Sequence, residues 1–424
     1  MIVAVIGLGK IGLPLAVQYS YSGHTTIGLD VNENTVKLVN QGIEPFPEEA
    51  QLQERLQNVI SEKLLSATTN PETAIRIANV VVVAVPLFVD ANGNADFAVI
   101  DSVTLQISQY MKQGTLVCFE TTLPIGTTRN RFTKMLEEQS KMSVGSDFFV
   151  VFSPERVLTG RVFVDLRRYP KIVGGVTAEC GRVGSEFYSE VLEFDERSDL
   201  SKLNGVWNVG STEAAEFVKL AETTYRDVNI GLANQFAKYA DEVGVDIQEV
   251  ISAANSQPFS HIHQPGISVG GHCIPIYPQF YLQNDPQASI VRSARETNWS
   301  MPSYYVNKLS QIDSNLKGKK ILVLGVTYRP NVKEVAFSGA FDVKEELVKL
   351  GMKPYFHDPL LSNEELHELG LESSENVQDF EYAIIHTNHK VYKNLKFSEF
   401  PSLKYIIDGR GDLGKGLGLI KLGE

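Results

Sequence analysis

The 424-residue sequence predicts an α/β protein: two parallel-sheet domains joined by one long central helix. Three observations carry this. From residue 2 to about 155, short β-branched runs alternate with amphipathic stretches, the pattern of strands and helices wound into a parallel sheet. A run with helical spacing and no proline then extends from Ser211 to about Val243. Beyond a charged linker, LKGKKILVLGV opens a second alternation of strands and helices. The expected divisions are 1–205, 206–310 and 311–424.

In chain order, residues 2–6 form a strand, and GLGKIGLPLA turns into a helical pattern. TTIGLD is the second strand. VVVVAVP, TLVCFETT and FFVVFSP are further strands, with helices expected at 96–111 and 127–140. The longest apolar stretch, ANVVVVAVPLFV, is too short to span a bilayer and reads as a strand buried on both faces. In the central run, Ser211 or Thr212 caps the helix, and Ala214, Phe217, Val218, Ala221, Tyr225 and Val228 recur at three- and four-residue steps. A helix of this kind is a common site for a subunit interface. The second alternation continues with a helix at 338–350, the strand PYFHDP, a helix at 363–369, and the strands YAIIHT and YIIDG. Its first turn, GVTYRPN, lacks a dinucleotide glycine pattern.

The formal charge is −12, which argues against a nucleic-acid partner, since such a partner needs a basic face. A small anionic ligand is still allowed, because a few placed cations and N–H groups hold a phosphate. Three widely spaced cysteines, Cys118, Cys180 and Cys273, make no disulfide framework and point to a reducing compartment. No CxxC occurs, and no cluster has zinc-ligand spacing. The N-terminus, MIVAVIGLGKIGLPLAV, is as apolar as a signal peptide but lacks a basic start and carries three glycines. The expectation is a soluble cytoplasmic protein with no membrane span.

Gly7, Gly9 and Gly12 form G-x-G-x-x-G between a strand and a helix, the context in which this otherwise weak pattern gains meaning. In a Rossmann-like domain those glycines bring backbone N–H groups near a pyrophosphate at a helix N-terminus. Asp30 ends the second strand, 18 residues after Gly12 (30 minus 12). There a carboxylate accepts bonds from ribose hydroxyls and repels the 2′-phosphate of NADP, so NAD is favoured. The same glycines also suit a turn that merely packs helix on sheet.

Cys273 lies in GISVGGHCIPIYP, just after Gly270 and Gly271. A cysteine in such a loop is either a nucleophile or a small core residue, and spacing alone leaves both open. On the central helix Lys219, Thr223 and Arg226 stand at i, i+4 and i+7 and share a face. A solvated polar stripe has the same spacing. Glu155 and Arg156 follow the strand FFVVFS, and Thr121 and Thr122 end CFETT. Both fall at the carboxyl ends of strands, where open α/β sheets bind ligands, although turn residues also gather there.

Taken together, GLGKIGLPLA, FETTLPIGT, SPERVLTGR, KLAETTYRDVNIGLANQ, VGGHCIP and the late IIDGR resemble the UDP-glucose/UDP-N-acetylmannosamine dehydrogenase family, from residue 2 to about 411. The resemblance implies an NAD domain, a central helix that dimerises and a C-terminal UDP-binding domain. It implies that a sugar C6 alcohol is oxidised twice to a carboxylate, with Cys273 forming a thiohemiacetal and then a thioester, and no metal. Lys219 would stabilise the oxyanion together with Thr223, Glu155 would activate the hydrolytic water, and Thr122 would sit between nicotinamide and sugar. Gly7, Gly9, Lys10, Ile11, Gly12, Asp30, Val85, Pro86 and Thr122 would line the cofactor. Arg156, Val157, Lys219, Thr223, Arg226 and Gly270 would contact the UDP-sugar.

The ERVLTG form resembles the UDP-N-acetylmannosamine branch, which makes UDP-N-acetyl-D-mannosamine the expected substrate. UDP-glucose and UDP-N-acetylglucosamine are the alternatives. Several positions depart from the family pattern. Thr223 stands for the usual Asn, Tyr277 for an Asp, Ala336 for an Arg, and Phe259 for a branch Arg, with His261 and His263 nearby. Two other readings compete. A two-electron hydroxyacid-type dehydrogenase shares the NAD domain and the helix lysine but needs neither the cysteine nor residues 317–424. A sensor of NAD and nucleotide sugar would draw its support from the departures.

Overall fold

The computed structural model describes residues 1–47, 49–90, 93–374, 379–395, 400–411, 413 and 418–421. The chain divides into two compact units, Met1–Ala221 and Glu222–Glu424.

The first unit contains β1 (Ile2–Ile6), β2 (Thr25–Leu29), β3 (Leu65–Thr68), β4 (Val80–Val83), β5 (Phe88–Val89), β6 (Ala95–Asp96), β7 (Leu116–Phe119), β8 (Phe149–Phe152), β9 (Lys171–Gly175) and β10 (Val206–Ser211). Eight of these form one sheet in the order β10-β9-β8-β7-β4-β1-β2-β3, and β5 and β6 pair as a small hairpin. The Val80–Val83 run is buried along its whole length, as expected of a strand covered on both faces. Each valine so buried contributes about 1.5–3 kcal/mol, which explains why a β-branched run with no polar side is stable only there.

Helices fall where the sequence has start signals. Asn70 caps Pro71–Ile75, with proline in the first turn, and Thr177 caps Ala178–Val191. The stretch expected as a helix at 127–140 opens as a π-helical turn, Thr128–Thr133, before becoming α-helical at Lys134–Ser140. One connection differs from an all-parallel sheet: β9 runs antiparallel to β8. The reversal has a chemical consequence, because it places the first residue of β9, Lys171, at the edge where β8 ends.

The central helix spans Thr212–Val243, and the Ser211 hydroxyl accepts from Ala214 N at 3.1 Å, as a cap should. In the second unit β11 (Lys320–Leu324), β12 (Lys353–His357), β13 (Tyr382–Ile385), β14 (Tyr405–Asp408) and β15 (Gly418–Lys421) form a sheet in the order β12-β11-β13-β14-β15. Only the β14–β15 pairing in it is antiparallel. The two sheets repeat one device. Asp30, after β2, accepts from Leu8 N at 2.7 Å. Asp358, after β12, accepts from Val326 N at 2.7 Å and Thr327 N at 2.9 Å. In both, an acid at the end of the second strand holds the loop that follows the first.

Candidate functional site

Four neighbouring parallel strands and β2 end at one edge of the first sheet, and the expected site residues follow their order. Asp30 follows β2, Gly7–Gly12 follow β1, Val85 and Pro86 follow β4, Thr122 follows β7, and Glu155–Val157 follow β8. Strand order thus gathers residues that are up to 150 positions apart, at the edge where open α/β sheets bind ligands.

The glycine loop is built for close approach. Gly7 has φ +92°, and a Cβ on Gly12 would lie 1.8 Å from the Gly7 carbonyl oxygen. A Cβ on Gly9 would meet nothing within 4 Å, so the loop opens onto free space there. The helix it leads into, Gly12–Tyr21, has no acidic residue in its first turn and no side-chain cap, which suits an anionic pyrophosphate. Lys10 and Ile11 are half-buried, Val85 is buried against Gly7, and Pro86 is exposed. With Asp30 at the end of β2, these residues fit NAD.

Thr122 is buried, and its neighbour Thr121 donates a hydrogen bond to the Val85 carbonyl, tying the end of β7 to the loop after β4. Glu155 is nearly buried, with 11% of its side chain exposed. Its Oε2 accepts from Lys171 Nζ at 2.9 Å, and its Oε1 accepts from Arg156 N at 2.8 Å. Lys219 Nζ donates to the Glu155 carbonyl at 2.6 Å, so the structure joins the helix lysine to the strand-end glutamate. Burial alone would raise the Glu155 carboxyl. The Lys171 ammonium, the Arg156 N–H and Lys219 outweigh it and hold the group below the usual range. A cavity of about 10 Å³, near the least that holds one water, is lined by Glu155, Arg156, Asp165, Tyr169 and Lys171. Arg156 turns toward this side, donating to the Pro170 carbonyl at 3.2 Å and lying over Tyr169. Val157 packs against the core of the first unit.

In the second unit Cys273 is exposed, whereas Cys118 and Cys180 are buried. That separates the three cysteines in a way their spacing does not. Its carbonyl accepts from Tyr277 N at 2.9 Å, so the thiol stands immediately before the helix Tyr277–Asn284. Gly271 has φ +94°, and a Cβ there would lie 2.8 Å from the Tyr328 ring; a Cβ on Gly270 would meet Tyr328 and the Phe337 carbonyl. Tyr328, which sequence reasoning missed, faces both Cys273 and Arg226 electrostatically, and burial pushes its hydroxyl up. Thr223 is buried and Arg226 exposed. His263, near Phe259, is held below the usual imidazole range by burial and by Arg226. Phe259 itself is exposed. Ala336 accepts from Gly271 N at 3.1 Å, so its backbone supports the cysteine loop.

Glu216 also escaped the sequence reading. One turn before Lys219, it is buried and accepts from Gly126 N, Thr128 N and Thr128 Oγ1, which fixes the loop after Thr122 to the central helix. Burial raises its carboxyl to about 7, against the opposing Thr128 and Gly126 donors. This folded value lies above the unfolded one. The associated stability is therefore full below about pH 4.3 and is lost as pH rises through about 7. Chemical denaturation from pH 4 to 8 should show wild type losing stability relative to Glu216→Gln across that window. A constant difference would count against it.

Among the described residues no group of three or more His, Cys, Asp or Glu is arranged to hold a metal, and no helix is long and apolar enough to cross a membrane.

Three models of one family match the chain: the NAD binding domain of the UDP-glucose/GDP-mannose dehydrogenase family over 1–192, its central domain over 213–300 and its UDP binding domain over 322–415. The chain is 32% identical to a UDP-N-acetyl-D-mannosamine dehydrogenase of Methanocaldococcus jannaschii, covering 98% of this chain and 93% of that one. It is 30% identical to an NDP-N-acetyl-D-galactosaminuronic acid dehydrogenase of Ralstonia solanacearum, covering 96% and 95%. The solved UDP-D-ManNAc dehydrogenase of Pyrococcus horikoshii superposes with a TM-score of 0.87 at 30% identity, covering 97% and 96%. With an NAD loop at the edge of its first sheet and these matches along its length, the chain belongs to the UDP-glucose/GDP-mannose dehydrogenase family and is an NAD-dependent nucleotide-sugar dehydrogenase.

Proposed function

We propose that the protein oxidises the C6 alcohol of UDP-N-acetyl-D-mannosamine to the uronic acid in two two-electron steps. The observation that carries this is the single exposed thiol among the three cysteines, Cys273, held in a glycine loop at the start of a helix. A two-electron dehydrogenase has no use for it. The names of the relatives support the acetylated mannose sugar, and UDP-glucose and UDP-N-acetylglucosamine are the alternatives.

NAD+, held by the Gly7–Gly12 loop and Asp30, would supply the hydride acceptor for each oxidation. Each oxidation also releases one proton. The Cys273 sulfur adds to the aldehyde carbon, so the intermediate stays covalently attached, and the second oxidation turns that adduct into a thioester. Lys219 stabilises negative charge on the reacting oxygen, with Thr223 able to donate one hydrogen bond. Glu155, held ionised, takes a proton from the water that attacks the thioester; the C–S bond breaks and the thiol is regenerated with the carboxylate. Thr122, buried just after β7, would separate a bound nicotinamide from the sugar. Arg156, Val157, Arg226 and Gly270 contact the UDP-sugar.

The three matched segments support a three-part division of labour at about residues 205 and 310. Tyr225, Leu232, Phe236, Tyr239 and Val243 are exposed at helical spacing along the central helix, which supports a homodimer through that face. Sparse, unpaired cysteines support work in the reducing cytoplasm, and a uronic-acid product suits the synthesis of acidic polysaccharide precursors.

The test counts NADH per sugar consumed with UDP-N-acetyl-D-mannosamine, UDP-N-acetylglucosamine, UDP-N-acetylgalactosamine and UDP-glucose in turn. Two NADH per UDP-N-acetyl-D-mannosamine is the expected result. Two NADH from another sugar reassigns the substrate, one NADH per sugar overturns the thioester route, and none with any sugar favours the sensor reading.

A further inference from the structure

Glu155 has to stay ionised while nearly buried, and the chain supplies more than one cation for it. The Lys171 side chain is 5% exposed and bridges two carboxylates: Glu120 Oε2 at 2.8 Å and Glu155 Oε2 at 2.9 Å. Glu120 is held in turn by the hydroxyls of Tyr19 and Tyr188, which donate to its Oε1 at 3.1 and 2.7 Å. Glu120, Tyr19 and Tyr188 are buried. Five elements thus meet around one ammonium: the first helix, β7, β8, β9 and the helix Ala178–Val191. A buried ion pair of this kind adds little net stability, since its desolvation cost rivals its Coulomb gain.

We infer that Lys171, anchored by Glu120, is a positioning residue for Glu155: it aims one carboxylate oxygen and keeps the group charged for hydrolysis of the Cys273 thioester. The inference rests on the proposed role of Glu155 as base. The geometry favours positioning over direct chemistry. Lys171 donates to both acids at once, and its hold on Glu155 is through Oε2, while Arg156 N fixes Oε1. The groups that face Glu155 are Lys171 from β9, Glu120 just after β7, Tyr19 from the first helix, Lys219 from the central helix and Arg156 beside it. Asp165 and Tyr169 lie across the small cavity. Glu120 competes with Glu155 for the one ammonium, and burial raises its carboxyl despite Lys171. Removing charge at the two positions must therefore act on Glu155 in opposite directions.

The test is a pH profile of thioester hydrolysis. The full-length enzyme is mixed with NAD+ and UDP-N-acetyl-D-mannosamine, quenched, and the sugar acyl group on Cys273 is followed by intact mass. Lys171→Met should slow hydrolysis at least about tenfold, accumulate the acyl-enzyme and move the acid limb up by about one pH unit, with KM for the sugar little changed. Lys171→Arg should restore most of the rate. Glu120→Gln keeps an acceptor for both tyrosines, so it tests the idea even if Lys171→Met fails to fold. It should move the acid limb down. An unmoved limb in Glu120→Gln, or limbs shifted the same way in both variants, overturns the inference. Glu155→Gln serves as the reference. If it accumulates no acyl-enzyme, the base assignment itself is wrong and the inference goes with it. If it does accumulate while Lys171→Met turns over like wild type, only the inference fails.

Discussion

Cys273→Ser should leave the fold intact and stop formation of the uronic acid, with a loss of turnover on the order of 10³-fold or more. Both parts have a structural reason. The residue is exposed, so exchanging sulfur for oxygen removes no core packing, and unfolding should shift by no more than about 0.5 kcal/mol. A serine hydroxyl, unlike a thiol, has almost no anionic form near neutral pH without a base to take its proton. An oxygen ester would also be a poorer acyl carrier than a thioester. The measurement is NADH released per sugar in wild type and variant, beside intact mass for the acyl adduct. A variant that still yields two NADH per sugar at the wild-type rate would remove covalent catalysis from the mechanism, whatever its substrate.

The second large effect concerns stability. Arg295 and Asp227 form a buried ion pair, Nη1 to Oδ1 at 2.7 Å, with side chains 1% and 0% exposed. Arg295 also donates to the Ile274 carbonyl at 3.2 Å, and Asn298 donates to Asp227 Oδ1 at 2.8 Å. Burial raises the Asp227 carboxyl to about 6 even with Arg295 beside it. Arg295→Met removes the cation and leaves that acid uncompensated, which should cost about 3–5 kcal/mol in urea unfolding at pH 7. Replacing both partners, Arg295→Met with Asp227→Leu, should recover part of the loss, because no unpaired charge is then left inside. Since Ile274 follows Cys273, the single variant should also loosen the cysteine loop, seen as faster thiol alkylation. An unchanged unfolding midpoint in Arg295→Met would mean the pair is dispensable.

Much of the candidate site was readable along the chain. G-x-G-x-x-G with Asp30, the strand-end motifs at Thr122 and Glu155, and the 219-223-226 face each depend on local rules: turn geometry, strand ends and the helical repeat. The structure sets Gly7, Val85, Thr122 and Glu155 on one sheet edge because these strands are parallel neighbours, as alternation implied. Lys171 and Glu120 were not readable as a pair. KIVGG has the same two-residue period whether it runs with or against its neighbour, so nothing in it announces that Lys171 returns to the edge where β8 ends. Glu216 was equally silent, since an acid on a helix more often faces water than a pair of loop N–H groups.

The sequence by itself determined the α/β class, the cofactor loop, the family motifs and the presence of a candidate thiol. These follow from properties that neighbouring residues carry without the rest of the fold: propensity, periodicity, and the need for glycine where a Cβ would collide. Only the tertiary structure decided which cysteine is exposed and which face of the central helix is buried. It alone showed that Lys171 lies between two carboxylates. Burial, strand direction and pairing across 51 residues are set by how the whole chain packs, and a charge's effect depends on that packing more than on its place in the chain.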